Sequence, residues 1–66
     1  METLGNRLKI RRDTLNLTQK QIAEKLNINQ VTYLGYEKDK HKPDIDTLSK
    51  LADILHTSID YLAGRY

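Results

Sequence analysis

Between Lys38 and Lys42 the chain gathers three lysines and a histidine: Lys38, Lys40, His41 and Lys42. Such a cluster offers mobile positive charge to a polyanion, phosphate above all; the plain alternative is a solvated loop. Side-chain amides form a second group, at Gln19, Gln21, Asn29 and Gln30. Each can donate and accept hydrogen bonds at once. The groups that make and break bonds are missing. The sequence has no nucleophile–base pair, no glycine-rich phosphate loop and no cluster of metal ligands, so an enzyme is not expected. It has no cysteine, which removes a disulfide framework and argues against a zinc finger. His41 and His56 are too far apart for a metal pair on one helix and read as surface residues. Neither a metal nor a cofactor is expected.

Sixty-six residues suit one small domain, residues 1–66. A domain this size buries only about 60% of the surface its unfolded chain exposes, so a partner subunit is the expected reinforcement. The net charge of +2 hides an asymmetry. Residues 1–42 carry nine basic and five acidic side chains, while residues 43–66 carry two and four. The basic first part suits phosphate contact, and the acidic second part suits a surface turned away from it. No signal-like apolar segment or run of roughly 18 apolar residues is present, so a soluble, cytoplasmic protein is expected. The lack of cysteine fits a reducing compartment.

The elements that must hold these groups are helical, because apolar residues recur at helical spacing and proline and glycine are scarce. A first helix is predicted from about Glu2 to Leu15, with Leu4, Leu8 and Leu15 on one face and Asn16 at its exit. Thr18-Gln19-Lys20-Gln21 reads as a capping box that opens a second helix, with Ile22, Ala23 and Leu26 inward and a Leu17–Ile22 staple. Asn27-Ile28-Asn29 makes a turn: Asn27 is suited to a left-handed exit and Asn29 to the next N-cap. A third, short helix covers about Gln30 to Glu37. It contains Gly35, which costs about 1 kcal/mol relative to alanine, so packing must hold it. After the loop closed by Pro43, Asp44 caps a fourth helix with Ile45, Leu48, Leu51, Ala52 and Leu55 inward. Ser58 caps a last helix that ends at Gly64. Five short-linked helices predict an all-α, compact bundle.

Two short helices joined by a tight turn could be any helical hairpin. The particular residues are more specific. Thr18 through Ala23, Leu26-Asn27-Ile28-Asn29, Thr32-Tyr33 and Tyr36-Glu37 resemble the phage-repressor-like (Cro/repressor, xenobiotic-response-element type) helix-turn-helix family. So do Lys42-Pro43, Thr47-Leu48, Lys50-Leu51-Ala52 and Ile59 through Leu62. The resemblance runs from about Leu4 to Gly64. It implies a lambda-repressor-like domain whose second and third helices form the motif. It also implies that Arg12 and Glu37 form a buried ion pair, where the residues alone would read as surface charges. Ala23 falls where the two motif helices would cross.

By the same resemblance the protein binds double-stranded DNA, with helix two across the backbone and helix three in the major groove. The implied DNA-facing set is Thr18, Gln19, Asn29, Gln30, Val31, Thr32, Leu34, Gly35, Lys38, Lys40, His41 and Lys42. Gln19 matches a phosphate-contacting position; otherwise it is a solvated residue at a helix start. Gln30 is the leading base reader, since glutamine can pair bidentately with adenine. Val31 and Leu34 could meet a thymine methyl or nothing, and Thr32 reads as half-buried. Tyr33 stands where the family carries an aliphatic core residue, and is expected in the core with its hydroxyl at the edge. Gly35 departs from the family, which often has a polar side chain there, so a sparser reading surface is expected. The function implied is a transcriptional regulator, a repressor, binding a pseudo-palindromic operator as a dimer through helices four and five, Tyr61 and Tyr66 included. The alternative is an antitoxin or protein-interaction module of the same fold.

Overall fold

The computed structural model describes residues 2–65, and Tyr66, expected at a dimer contact, lies outside them. Five helices follow in order: α1 (Leu4–Thr14), α2 (Gln19–Leu26), α3 (Gln30–Glu37), α4 (Ile45–Ile54) and α5 (Ile59–Ala63). Helix α3 packs on α1 and α2, while α4 and α5 close the far side against α2 and α1 respectively. Leu8, Ile22, Tyr33, Leu51, Leu55 and Leu62 are fully buried, with Ala23 and Ala52 nearly so. Among the described residues no helix is long and apolar enough to cross a membrane.

Most of the helix starts follow directly from local chemistry. The Thr18 hydroxyl accepts from the Gln21 amide at 3.0 Å, and the Gln21 side chain accepts from the Thr18 amide at 2.8 Å. Asp44 and Ser58 cap α4 and α5 by accepting from Thr47 and Tyr61. Helix α1 starts later than the sequence suggests, at Leu4, because Thr3 forms a reciprocal capping box with Asn6. Ile45 corrects the expected inward face of α4. It is 66% exposed, since it stands at the edge of the apolar stripe on a first turn that extends beyond the core.

The helix ends share one device. Asn16, Asn27, Asp39, His56 and Gly64 all take a left-handed backbone, with φ between 53° and 79°. The following amide turns back into the last helical turn: Leu17 to Arg12, Ile28 to Ala23, Lys40 to Gly35, Thr57 to Ala52 and Arg65 to Asp60. This is the six-to-one bond of a Schellman closure. Only the last of the five uses glycine; asparagine, aspartate and histidine bear the conformation elsewhere, being the residues that tolerate it best after glycine.

Two of these closures carry tertiary contacts. The Asp39 carboxylate accepts from the Thr3 hydroxyl at 2.6 Å and the Gly5 amide at 3.0 Å, placing a negative charge at the start of α1. Arg11 donates to the Leu55 and His56 carbonyls at the end of α4, at 2.9 and 3.1 Å, a cation where the helix dipole favours one. Gly5 is required for a different reason. A β-carbon there would strike the Glu37 and Tyr36 backbone carbonyl groups, so α1 crosses the end of α3 with main chain against main chain.

Two stability changes of opposite sign follow. Gly5→Ala should lose about 1–3 kcal/mol in urea unfolding, because backbone cannot yield as a side chain can. His56→Gly should gain up to about 1 kcal/mol, since it relieves the left-handed strain and keeps the carbonyl that Arg11 caps.

Candidate nucleic-acid interface

The outward face of the α2–turn–α3 unit is set by what the inner face must bury. Ile22, Ala23, Leu26 and Tyr33 fill the angle between the helices, and Leu17 and half-buried Ile28 cover its ends. Asn27 ends α2 and Asn29 begins α3, accepting from the Val31 amide at 2.7 Å. Two residues separate one left-handed closure from the next helix, which fixes the turn tightly. On the outside, Gln30 and Lys38 are exposed, and Val31 is 73% exposed, the most exposed large apolar side chain among the described residues. Thr32 and Leu34 are half-buried.

Behind this face lies a buried polar cluster centred on Glu37, whose side chain is only 3% exposed. Arg12 of α1 pairs with it in a fork, Nε to Oε2 at 2.7 Å and Nη2 to Oε1 at 3.3 Å. The third guanidinium nitrogen, Nη1, donates to the Leu17 carbonyl at 2.9 Å, just before α2. Gln19 donates its amide to Glu37 Oε1 at 3.1 Å. The Tyr33 hydroxyl is buried close to the same carboxylate, without a hydrogen bond of good geometry. Burial pushes the Glu37 carboxyl up, but hydrogen bonds from Arg12 and Gln19 and the nearby Tyr33 hydroxyl outweigh it and hold it below the usual carboxylate range. Burial first, then the Glu37 charge, raise Tyr33 above the usual phenol range. Glu37 raises Arg12 in turn, chiefly through the hydrogen bond.

Several expected site residues stand differently from what spacing alone suggests. Gln19 is half-buried and its side-chain amide donates to Glu37, a bond that neither expectation for this residue included. The Tyr33 hydroxyl is not at the core's edge but inside it, beside the Glu37 carboxylate. Gly35 is not an open outward position. It is buried beneath the His41 imidazole, which folds back from the loop. The basic first part of the chain is also partly committed within the fold, since Arg11 and Arg12 hold α4 and α3.

Other residues come together that the sequence did not single out. Asn6 and Lys9 of α1 join Gln19, Glu37, Lys38 and Asp39 around an open cleft of about 310 Å³ beside the start of α2. No local pattern joins Lys9 of α1 to Gln19 of α2, which line the same cleft only in the folded chain. Lys40 and Lys42 are exposed on the loop beyond.

A capped helix, a left-handed asparagine turn and a second helix with an exposed first turn define a helix-turn-helix domain. A helix-turn-helix family model matches residues 8–62, and the chain belongs to that family, in its phage-repressor branch. It is 48% identical over 63 residues to the HTH-type transcriptional regulator ImmR of Bacillus subtilis, covering 96% of this chain and 50% of the relative. It is 40% identical over 63 residues to the cryptic phage CTXphi transcriptional repressor RstR of Vibrio cholerae, covering 96% and 56%. The chain thus spans about half the length of these relatives. Its fold matches the P22 c2 repressor, solved in complex with a synthetic operator, at a TM-score of 0.92 and 24% identity over the whole of both chains.

The Glu37 cluster predicts both a mutational and a pH response. Arg12→Ala should cost about 3–5 kcal/mol in denaturant unfolding, because it leaves a buried carboxylate unpaired; adding Glu37→Leu should recover much of that loss. Because folding lowers the Glu37 pKa, its contribution is complete above the unfolded value of about 4.3 and fades as pH falls through the lower folded one. Stability measured from pH 7 to 2 should therefore fall more steeply for the wild type than for Glu37→Gln.

Proposed function

We propose that the chain is the DNA-reading part of a transcriptional repressor, which binds a pseudo-palindromic operator as a dimer with α3 in the major groove. The observation that carries this reading is the division of α3 into two faces. Tyr33 and Glu37 lock one face to α1 and α2, while Gln30, Val31 and Lys38 stand clear on the other. A helix held so firmly from behind can present side chains to base edges without rearranging. The names of the relatives, transcriptional regulator and repressor, point the same way.

On DNA each exposed group has a distinct role. Gln30, on the first turn of α3, pairs with adenine through N6 and N7. Val31 and the accessible part of Leu34 pack on thymine methyls. Asn29 and Thr32 border that contact. Thr18 and the start of α2 face a phosphate, and Gln19 approaches it already oriented by Glu37. Lys38, Lys40 and Lys42 supply charge along the backbone. One such domain reads only a few base pairs, so two copies related by a two-fold axis are needed for a specific site. We propose that they meet through α4 and α5, the acidic side of the chain; the exposed apolar surface of Ile45 and the half-buried Tyr61 support this.

Selection from a random DNA pool should enrich a motif with dyad symmetry, and its spacing gives the distance between recognition helices. No enrichment at low salt with micromolar protein would refute the reading. On the enriched site, Gln30→Ala should relax the preference at one base pair per half-site by about 1–3 kcal/mol. Lys40→Ala and Lys42→Ala should instead weaken all sequences alike, each making the log–log salt dependence shallower by about one unit.

A further inference from the structure

Gly35 poses a question that helix formation does not answer. Glycine is the poorest helix former after proline, and α3 is only eight residues long. Its backbone is ordinary: among the glycines, only Gly64 takes the left-handed conformation that favours the residue. What singles out Gly35 is space. A β-carbon there would overlap His41 Cε1 and Nε2, and outside its own helix the three nearest atoms all belong to that ring. At Gly5 the obstacle is main chain, so the fold itself demands the glycine. At Gly35 the obstacle is an exposed loop side chain that could swing into solvent. The glycine therefore preserves a seat for the ring rather than the bundle.

The seat is specific. His41 Nε2 lies 3.2 Å from the Thr32 carbonyl oxygen. A carbonyl can only accept, so Nε2 carries the proton. The ring meets Tyr36 edge-on, with centroids 5.1 Å apart, and Tyr36 meets Tyr33 in the same manner at 6.4 Å. The main chain of Asp39 and Lys40 is tied to α3 by the Schellman bonds. Beyond Lys40, the His41 ring makes the only hydrogen bond from residues 41–43 to α3 among the described residues. Lys40 and Lys42 flank it.

We propose that His41 is a positioning residue for DNA binding: its imidazole, seated on Gly35, replaces the side chain that α3 lacks and holds the lysine loop against the recognition helix. The proposal rests on the reading of α3 as that helix. Gly35 and His41 then form one functional unit, and neither works without the other. The gap in the helix is where the loop docks, and the phosphate-facing lysines inherit their geometry from it.

A double-mutant cycle on the enriched site, with affinity measured across a range of salt, tests this. Gly35→Ala and His41→Ala should each weaken binding about tenfold and make the salt dependence shallower by about one unit. The double variant should be no weaker than either single one. His41→Phe, which keeps the ring on Gly35 and Tyr36 but cannot donate to phosphate or to Thr32, should restore part of the affinity and remain clearly tighter than His41→Ala. Stability separates this from a folding defect: in the His41→Ala background, Gly35→Ala should raise the melting temperature, since alanine is the better helix former. Independent of DNA, a nuclear Overhauser effect should link His41 Hε1 to the Gly35 α-protons. Wild-type affinity in Gly35→Ala, a double variant whose loss is the product of the single ones, or a His41→Phe as weak as His41→Ala would each overturn the proposal. Those results presuppose a wild type that binds; a wild type that selects no DNA refutes the functional reading itself.

Discussion

The Glu37 carboxylate is the point on which the domain depends. It sits at the last turn of α3 and is reached by Arg12 of α1 and Gln19 of α2, with Tyr33 of its own helix alongside. A buried carboxylate is costly to leave unpaired, so the helices that supply its partners can occupy only the arrangement that satisfies it. Apolar packing would tolerate small slides and rotations between such short helices; a forked ion pair with a third donor does not. The cluster thus turns a small core into a fixed angle between α2 and α3, and that angle decides how α3 presents its outer face.

A second economy lies in the connections. Each helix ends in the same left-handed closure, and two of the residues at these closures, Asp39 and His56, are joined to α1. Asp39 ends α3 and receives donors from the first turn of α1, while Arg11 leaves α1 to cover the end of α4. The first helix is therefore tied to α3 at its start and to α4 near its end. In a domain with little apolar area, satisfying helix ends with charges from a neighbouring helix contributes stability and register together. This use explains why some of the positive charge in residues 1–42 faces inward.

The outer face of α3 and the lysine loop are continuous. The Schellman closure at Asp39 turns the chain, His41 folds back over Gly35, and the lysines extend from a segment pinned at both places. A sparse α3 surface is thus not an open one. Where the helix has no side chain, the loop supplies a ring.

By itself the sequence determined the number of helices, their order, most of their caps and the helix-turn-helix, because these depend on local spacing and on the chemistry of single residues. Thr18 with Gln21, Asn27, Asn29, Asp44, Ser58 and Gly64 all act within a few residues of themselves, and the resemblance to a known family extended the reading to the Arg12–Glu37 pair. Helix α1 starts at Leu4 rather than near Glu2, on a Thr3–Asn6 box whose hydroxyl is also tied to Asp39, 36 positions away. Only the tertiary structure decided that Ile45 faces out, that the Gln19 amide is bonded to Glu37, that the Tyr33 hydroxyl is buried beside a charge, and that His41 covers Gly35. Helical periodicity states which side of a helix a residue occupies, but not what crosses over it. That depends on contacts between segments distant in sequence, and no local pattern contains them.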